Sequence, residues 1–374
     1  MTRLSILYDG WALAHQPNHP AAIHLLTLLQ YHPPDLPAAI ALPGASWHAL
    51  PESFTVYTLP TPNHPRQRFT WEQRRLPKLA RQIKAACLHL TSPYPALFGR
   101  TPTVVSPCEY WADRSLNTLP TEGGFNAHLR TAFAQGGLSR ARMILWPDDL
   151  PDPGLPAPKS TLSPVVHPAF LQKNLESQLY QRDLLHTLGL SEAYILYHGP
   201  GDRESLEDLL AAWSWAARPI GEDTPLVILG FNSEEQNLCD QIAQERGFRD
   251  TLRLLPGLPI EDLAAVYRGC SAVFHPTPYS AWDGAIRAAL ACGKPLVAPE
   301  TPALSSLVGK AAYLVAADQP GSSRAFGAAI ITVIVEEDVG EALAQAARQL
   351  TRRWNGTTFA RQLAELYQQI LAEG

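Results

Sequence analysis

Short apolar runs alternate with segments of helical spacing along most of the chain. In the second half, the apolar runs at 226–229 and 252–255 are each followed by an amphipathic segment, at 233–246 and 260–268. Short apolar runs joined by helices are typical of buried parallel strands with helical crossovers. The pattern therefore predicts an α/β protein whose sheets are covered on both faces.

The same alternation extends from end to end and is cleaner in the second half. The predicted strands are residues 4–8, 38–42, 54–59, 87–90, 103–106, 143–146, 162–169, 193–198, 226–229, 252–255, 272–274, 295–298 and 312–315. The predicted helices are residues 21–31, 71–86, 126–135, 171–188, 205–217, 233–246, 260–268, 281–291, 303–308 and 359–371.

Residues 271–300 form the most clearly bounded strand–loop–helix–strand unit. Ser280 is a good N-cap, Asp283 can complete a capping box, and Gly293 supplies a left-handed stop. Loops that follow parallel strands lie at the carboxyl edge of the sheet, where open α/β folds bind their ligands. We therefore expect functional groups in this loop.

The chain has 374 residues, of which 46% are hydrophobic, and this length indicates two domains. The pattern places the boundary near Pro168. The predicted N-terminal domain comprises residues 1–168 and is completed by a C-terminal helix at 355–374. The predicted C-terminal domain comprises residues 169–354.

The unit at 271–300 resembles the signature segment of family-4 (group 1) glycosyltransferases, roughly P-S-x-Y-E-G-F-G-x-x-x-x-E-A-M-A-x-G-x-P-V-V-A. The stretches 195–213, 225–230 and 252–270 match the same family in order, and the resemblance is best from Tyr194 to Leu371. The matching residues in the signature are Pro276, Thr277, Tyr279, Trp282, Ala289, Leu290, Ala291, Gly293, Pro295, Val297 and Ala298.

The resemblance implies the GT-B architecture: two Rossmann-like domains with parallel sheets facing across a cleft, and a C-terminal helix that crosses back to the first domain. It also implies a nucleotide-sugar donor, bound on the side of the second domain, and sugar transfer with retention of configuration. The positions implied to contact the donor are His198, Gly199, Arg203, Tyr279, Ser280, Gly284 and Ala288.

The residues that perform the family's chemistry are largely replaced. Ser280 and Ala288 stand where the family has two glutamates, and Pro200 and Ser205 stand where it has an arginine and a lysine. Arg203 is the nearby cation that could contact a diphosphate, although a solvated loop arginine is the simpler interpretation. Leu206 replaces an asparagine and Ser306 an acidic residue.

The first half departs as well. Residues 15–20 contain no glycine where the family usually has a glycine-rich loop, and Cys108-Glu109 replaces a His-Asp pair. The remaining candidate catalytic residues are Glu109, His275 and Asp283. The simpler interpretation of Asp283 is a surface i,i+4 ion pair with Arg287, and that of the two strand-end histidines, His198 and His275, is a backbone hydrogen bond.

The composition of the chain further limits the kinds of protein that it can be. A net charge of -5 gives no general attraction to nucleic acid or anionic membranes. The five cysteines are dispersed without CxxC spacing, which indicates buried thiols and neither disulfides nor zinc. No signal peptide, membrane span, metal motif or cofactor motif is found, so we expect a soluble cytoplasmic protein that uses no metal. Peripheral membrane attachment stays open.

Three functional hypotheses follow. The first is a glycosyltransferase that moves a sugar from a nucleotide-sugar to an unknown acceptor. The second is an inactive pseudo-glycosyltransferase that serves as a scaffold, a ligand-binding module or the regulatory partner of an active glycosyltransferase, because the catalytic residues are missing together. The third is a GT-B enzyme of different chemistry, such as an epimerase or a phosphorylase.

Overall fold

A computed structural model describes residues 6–108, 125–152, 154–155, 157–171, 174–276, 281–282, 284–317 and 321–372, with only the backbone described for 125–131. The chain divides into two compact units. Unit 1 comprises Met1–His167, Tyr279–Asp283 and Trp354–Gly374, and unit 2 comprises Pro168–Pro278 and Gly284–Arg353.

Unit 1 is built on a parallel sheet of seven strands within its described residues, in the order β3-β2-β1-β4-β5-β6-β7. The central strands are mostly apolar and are buried along their whole length, as burial on both faces of a parallel sheet requires, whereas β3 at one edge is mostly exposed. The strands are β1 (Ile6–Asp9), β2 (Ala38–Leu42), β3 (Thr55–Thr58), β4 (Cys87–Leu90), β5 (Thr103–Val105), β6 (Met143–Pro147) and β7 (Lys159–Leu162).

The helices of unit 1 include one from the C-terminus of the chain. This last helix packs within unit 1, where the ring of Tyr31 touches the backbone at Gly356 so closely that a Cβ there would collide with it. The helices are α1 (Trp11–His15), α2 (Pro20–Gln30), α3 (Pro65–Thr70), α4 (Leu76–Gln82), α5 (Phe125–Leu138) and, at the C-terminus, α14 (Gly356–Ala372), and a π-helical turn at Trp71–Arg75 joins α3 to α4.

Unit 2 contains, in the part of the chain described, a six-stranded parallel sheet in the order β10-β9-β8-β11-β12-β13. Trp213 lies in its hydrophobic core, fully buried among apolar residues of the sheet and of the flanking helices. The strands are β8 (Ile195–Tyr197), β9 (Leu226–Leu229), β10 (Leu252–Leu255), β11 (Ala272–Phe274), β12 (Leu296–Pro299) and β13 (Ala312–Val315). The helices are α6 (Leu175–Thr187), α7 (Arg203–Ile220), α8 (Ser233–Glu245), α9 (Ile260–Gly269), α10 (Gly284–Ala291), α11 (Pro302–Val308), α12 (Ser322–Val335) and α13 (Glu337–Thr351).

The predicted fold class is confirmed, since both units are Rossmann-like with parallel sheets and flanking helices. The predicted stop at Gly293 is also confirmed by its left-handed φ of +66°. Two boundaries differ. Helix α10 begins at Gly284 and not at 281, because Ala281 and Trp282 form a turn. The predicted strand at 162–169 is displaced to Lys159–Leu162, ahead of prolines that cannot donate to a strand ladder.

A buried chain of hydrogen bonds ties α14 to the sheet of unit 1. The hydroxyl of Tyr8 lies 2.9 Å from His32 Nδ1 and 2.7 Å from the hydroxyl of Tyr367. The Tyr367 hydroxyl lies 2.6 Å from His89 Nδ1, and His89 Nε2 lies 2.9 Å from Ser106 Oγ. Tyr8, His89 and Tyr367 are fully buried, so polar groups of the sheet and of the last helix satisfy one another.

The donor and the acceptor of each of these hydrogen bonds can be assigned by starting from His32. His32 Nε2 lies 2.7 Å from the carbonyl of Leu36, which can only accept, so Nε2 carries the proton. Burial lowers the pKa of His32, so its neutral ring accepts at Nδ1 from Tyr8. Tyr367 then donates to Tyr8, His89 Nδ1 donates to Tyr367, and Ser106 donates to His89 Nε2.

We predict that Tyr367→Phe lowers the free energy of unfolding by about 1–3 kcal/mol, because it leaves the His89 Nδ1–H buried without an acceptor. Urea denaturation measures the change. Tyr57→Phe, on the exposed edge strand β3, is the control and should change stability by less than about 0.5 kcal/mol. Equal effects of the two substitutions would contradict the role of the chain.

We predict that acid destabilises the protein through His89. Burial lowers the pKa of His89 from 6.5 to about 3, so its stabilising contribution is present above pH 6.5 and is lost as pH falls toward 3. Between these pH values the unfolded chain binds a proton at His89 that the folded chain does not bind. The free energy of unfolding therefore falls by up to about 1.4 kcal/mol per pH unit.

Urea denaturation of wild type and His89→Gln at several pH values between 7 and 4 measures this term. The variant starts less stable, but its stability should fall less steeply with acid. Parallel curves for the two proteins would show that His89 does not titrate in this way.

Candidate functional site

In unit 2, the topology itself selects one position for ligand binding. β8 lies between β9 and β11, so the chain builds the sheet outward on one side of β8 and then on the other. Open α/β sheets bind ligands outside the carboxyl ends of the strands at such a switch point. His198 directly follows β8 and His275 directly follows β11.

Both histidines are buried beneath this edge. His198 is 5% exposed, and its Nδ1 lies 2.7 Å from the hydroxyl of Tyr267 on α9. His275 is 1% exposed, and its backbone N–H donates to the Val297 carbonyl at 2.9 Å. The structure therefore brings the two predicted residues to the same edge, and it orients His198 through a tyrosine that the sequence did not single out.

The loop after β8 folds back on Tyr197. The Tyr197 hydroxyl donates to the Pro200 carbonyl at 2.7 Å, and a Cβ at Gly199 would lie 2.7 Å from the tyrosine ring. Only glycine fits that close approach. Gly199, a predicted donor contact, thus has a structural reason to be glycine.

The N-terminus of α7 is occupied by the protein's own carboxylate. Asp202 Oδ1 accepts from the backbone N–H of Ser205 at 3.1 Å, and Oδ2 accepts from the Ser205 hydroxyl at 2.8 Å. Helix N-termini are common phosphate sites because their N–H groups are unpaired. Here Asp202 already takes that position as an N-cap.

The surroundings of α7 are acidic. Burial first, then Glu204 and Glu207, raise the pKa of Asp208. Burial likewise raises the pKa of Glu235 on α8, against the hydrogen bond from the Asn232 backbone, and Asp202 adds to the rise. Carboxylates that raise one another's pKa disfavour a bound polyphosphate at this place.

Arg203 does not relieve this charge. Its guanidinium donates to Glu207 at 3.2 Å, and about two thirds of its side chain is exposed. An exposed i,i+4 pair of this kind contributes little to stability and leaves the arginine solvated. The simpler interpretation, a solvated arginine, accounts for its geometry.

Helix α10, which begins at Gly284, is buried along its whole length, including Ala288. Arg287 is 3% exposed, so the expectation of a surface ion pair at this position is wrong, because every residue of α10 is buried. Helix α10 therefore carries a buried guanidinium. Glu109, Tyr279, Ser280 and Asp283 lie outside the described residues.

Unit 1 has its own switch point, between β1 and β4. Asp9 ends β1 and is 4% exposed; its Oδ1 accepts from the backbone N–H of Trp11 at 3.0 Å and from Trp71 Nε1 at 2.8 Å. Ser92 follows β4, and its buried hydroxyl has no hydrogen-bond partner among the described residues. Neither Asp9 nor Ser92 was singled out from the sequence.

A signal for this position was present in the sequence at Gly10. A Cβ there would lie 2.7 Å from the Ala41 carbonyl, so only glycine allows the close approach of the turn to β2. A glycine directly after the first predicted strand of an α/β chain marks such a turn.

Trp282, from the turn before α10, belongs to unit 1. Its ring stacks on His24 with centroids 4.4 Å apart, and its Nε1 donates to the Leu145 carbonyl at 3.2 Å. The family-like tryptophan therefore has a defined packing role.

No three His, Cys, Asp or Glu side chains converge as ligands would in the described residues. Cys87, Cys108, Cys239 and Cys270 are buried and Cys292 partly so, which confirms the expectation of buried thiols. No described helix is long and apolar enough to cross a membrane.

Comparison with known proteins finds similarity in the second half of the chain. Residues 192–336 match the model of Glycosyl transferases group 1. The D-inositol 3-phosphate glycosyltransferase of Corynebacterium urealyticum is 28% identical over 156 residues, 40% of this chain and 36% of that protein. The O-antigen chain mannosyltransferase B of Escherichia coli is 30% identical over 122 residues, 32% of each chain. The alignments thus span about a third of these relatives.

Solved structures match the whole chain. A sucrose-phosphate synthase from Thermosynechococcus elongatus has a TM-score of 0.73 at 15% identity, covering 100% of both chains. WaaG, a glycosyltransferase of lipopolysaccharide biosynthesis, has a TM-score of 0.70 at 12% identity, covering 97% of this chain and 99% of its own. Anabaena HepE in complex with UDP and glucose has a TM-score of 0.64 at 16% identity, covering 97% and 99%.

These matches agree with the parallel sheets and with the switch point between β8 and β11. Residues 192–336 match the Glycosyl transferases group 1 model, and the chain has the GT-B fold of these solved structures.

Proposed function

We propose that the protein is a glycosyltransferase that takes its sugar from a nucleotide-sugar donor held at the carboxyl edge of the unit 2 sheet. The observation that carries the proposal is the extent of the family match. Residues 192–336 run from β8 into α12 and enclose the switch point with His198 and His275. The acceptor is unassigned, and retention of configuration is proposed by analogy with the family.

The nature of the donor rests on the relatives. HepE structures hold UDP, or UDP-glucose, and the curated relatives are named for the transfer of sugars, one of them mannose. A nucleoside diphosphate is therefore the leaving group to expect. The proposed reaction uses no metal ion, and this stays a prediction.

The charges of unit 2 indicate where that diphosphate would lie. Asp202 and its acidic neighbours disfavour the start of α7. We favour the start of α10, because this helix follows β11 at the carboxyl edge of the sheet and carries the buried cation of Arg287. Buried positive charge of this kind stabilises a leaving group more strongly than a solvated arginine does.

The predicted site residues take roles on this basis. Gly284 and Ala288 would line the donor at α10, and His275 would contact it from the end of β11. Tyr279 and Ser280 stay predicted donor contacts, and Glu109 and Asp283 stay predicted catalytic candidates. Arg203 would serve only if ligand binding released it from Glu207.

The alternative is an inactive pseudo-glycosyltransferase that binds a ligand or regulates an active partner. One observation favours it specifically. Pro200 and Ser205 stand where the family has an arginine and a lysine, and Asp202 between them caps α7 among further carboxylates. Under this alternative the chain would bind no donor, or bind one without turnover.

We predict that one nucleoside diphosphate or its sugar conjugate binds saturably when UDP, GDP and ADP and their common sugar conjugates are titrated calorimetrically. His275→Gln should weaken that binding by about tenfold or more, the typical effect of removing a hydrogen bond to a charged group. Arg203→Gln is the matched control and should change it less than about threefold, because Arg203 is already paired and solvated.

This titration tests the donor site on which the transferase proposal depends. Absence of binding at about 1 mM, the upper end of ordinary Michaelis constants, would sink the transferase proposal. Thermal melts of both variants confirm that each is folded. A strong loss of binding in Arg203→Gln would instead indicate that the diphosphate lies at the start of α7.

We also predict that Asp202→Ala lowers the free energy of unfolding by about 1 kcal/mol, whereas Asp202→Asn retains most of the stability. Alanine removes the cap from the Ser205 N–H, while asparagine keeps the accepting oxygen. Chemical denaturation of the two variants measures the difference. Indistinguishable stabilities would show that Asp202 does not cap α7 in solution and that the site is open to an anion.

A further inference from the structure

A cavity of about 290 Å³ lies in unit 1 at the end of the sheet where β5, β6 and β7 begin. Three arginines line it, Arg100, Arg140 and Arg142, and the lining described contains no aspartate or glutamate. Asp9 and Ser92, by contrast, lie at the ends of strands, on the carboxyl edge of the same sheet. The cavity is therefore separate from the switch point of unit 1.

The topology brings the arginines together. Arg100 precedes β5, and Arg140 and Arg142 lie between the end of α5 at Leu138 and the start of β6. β5 and β6 are neighbours, with Val104 opposite Met143. Because parallel strands begin at the same edge, segments far apart in sequence bring these three arginines to one cavity.

The two stretches of chain that supply these arginines are basic, although the protein as a whole carries a net charge of -5. Residues 73–108 and residues 123–147 contain no aspartate or glutamate. The cations of these two stretches are Arg74, Arg75, Lys78, Arg81, Lys84, Arg100, Arg130, Arg140 and Arg142. The positive charge is thus concentrated in part of unit 1.

Close packing fixes one wall of the cavity. A Cβ at Gly137 would collide with the Pro95 carbonyl, and one at Gly136 would lie 2.8 Å from Leu97 Cδ1. These glycines let the last turn of α5 lie directly against the loop that carries Arg100. A favourable interaction with the α5 dipole can explain a cation at Arg140, but it explains neither Arg100, which belongs to no helix, nor the cavity.

We propose that this cavity binds a phosphate group, either as a small soluble phosphate compound or as the headgroup of an anionic lipid. Guanidinium groups offer paired N–H donors that match phosphate oxygens, and several of them around one space hold a dianion. A volume of 290 Å³ is at the small end for ligand sites and suits pyrophosphate or a phosphorylated sugar. The proposal does not rest on the glycosyltransferase activity.

The test uses inorganic pyrophosphate in calorimetric titrations of three proteins. The first is wild type, and the second carries R100Q, R140Q and R142Q. The third is the control with R218Q, R246Q and R353Q, three exposed arginines of unit 2 whose replacement changes the net charge equally. Because all six side chains are exposed, the substitutions should leave the fold intact, which thermal melts check.

Wild type and control should bind pyrophosphate alike, and the cavity variant at least about tenfold more weakly, with binding that weakens as salt is raised. Binding that persists equally in all three proteins belongs to another site, such as the proposed donor site, and overturns the assignment to this cavity. Failure of nucleotide binding in the earlier titration leaves this comparison unaffected.

Vesicles identify the source of the phosphate group. The three proteins are sedimented with phosphatidylcholine vesicles that contain or lack phosphatidylglycerol. Sedimentation that requires the anionic lipid and is lost only in the cavity variant assigns the site to lipid headgroups, whereas pyrophosphate binding without sedimentation assigns it to soluble phosphates. Neither binding nor sedimentation, or equal losses in cavity variant and control, would refute the proposal.

Discussion

Burial of both faces of the two parallel sheets is the constraint on which the rest of the structure depends. The central strands are mostly apolar, so their few polar side chains lie at strand ends or are paired inside. Asp9, Ser92, His198 and His275 are strand-end residues of this kind. Tyr8 and His89, which do lie within strands, are accommodated only because Tyr367 of α14 completes their hydrogen bonds. The last helix thus contributes polar as well as apolar contacts to unit 1.

Local patterns were sufficient to predict the fold class, because alternating strands and helices are encoded within short windows. The strand at 226–229 is one that the sequence places within the bounds observed. Elements whose bounds depend on packing against distant residues were harder to predict. Helix α10 starts three residues later than predicted, because Trp282 packs on His24. The two long helices α12 and α13 were not predicted, although the hydrophobic pattern of α13 is strongly amphipathic.

The site was less predictable than the fold, for a physical reason. Positions at strand ends, such as His198 and His275, follow from sequence because they depend on local element bounds. The balance of charges around the site does not follow from the sequence, because it depends on which helices and strands lie next to one another in the fold. Glu235 reaches the loop after β8 from α8, and a Cβ at Gly201 would collide with its carboxyl group. Arg287 has the spacing of a surface residue but is buried, since α10 is covered on all sides.

The electrostatics of the two units point to different sources of phosphate affinity. Around α7 the carboxylates outnumber Arg203, which is paired, so a donor diphosphate would depend on α10 and its buried arginine. Buried groups are screened little by salt, whereas the open arginine cavity of unit 1 faces solvent and is screened strongly. Two phosphate sites in one chain would therefore differ in salt dependence, and the one that survives high ionic strength would be the donor site.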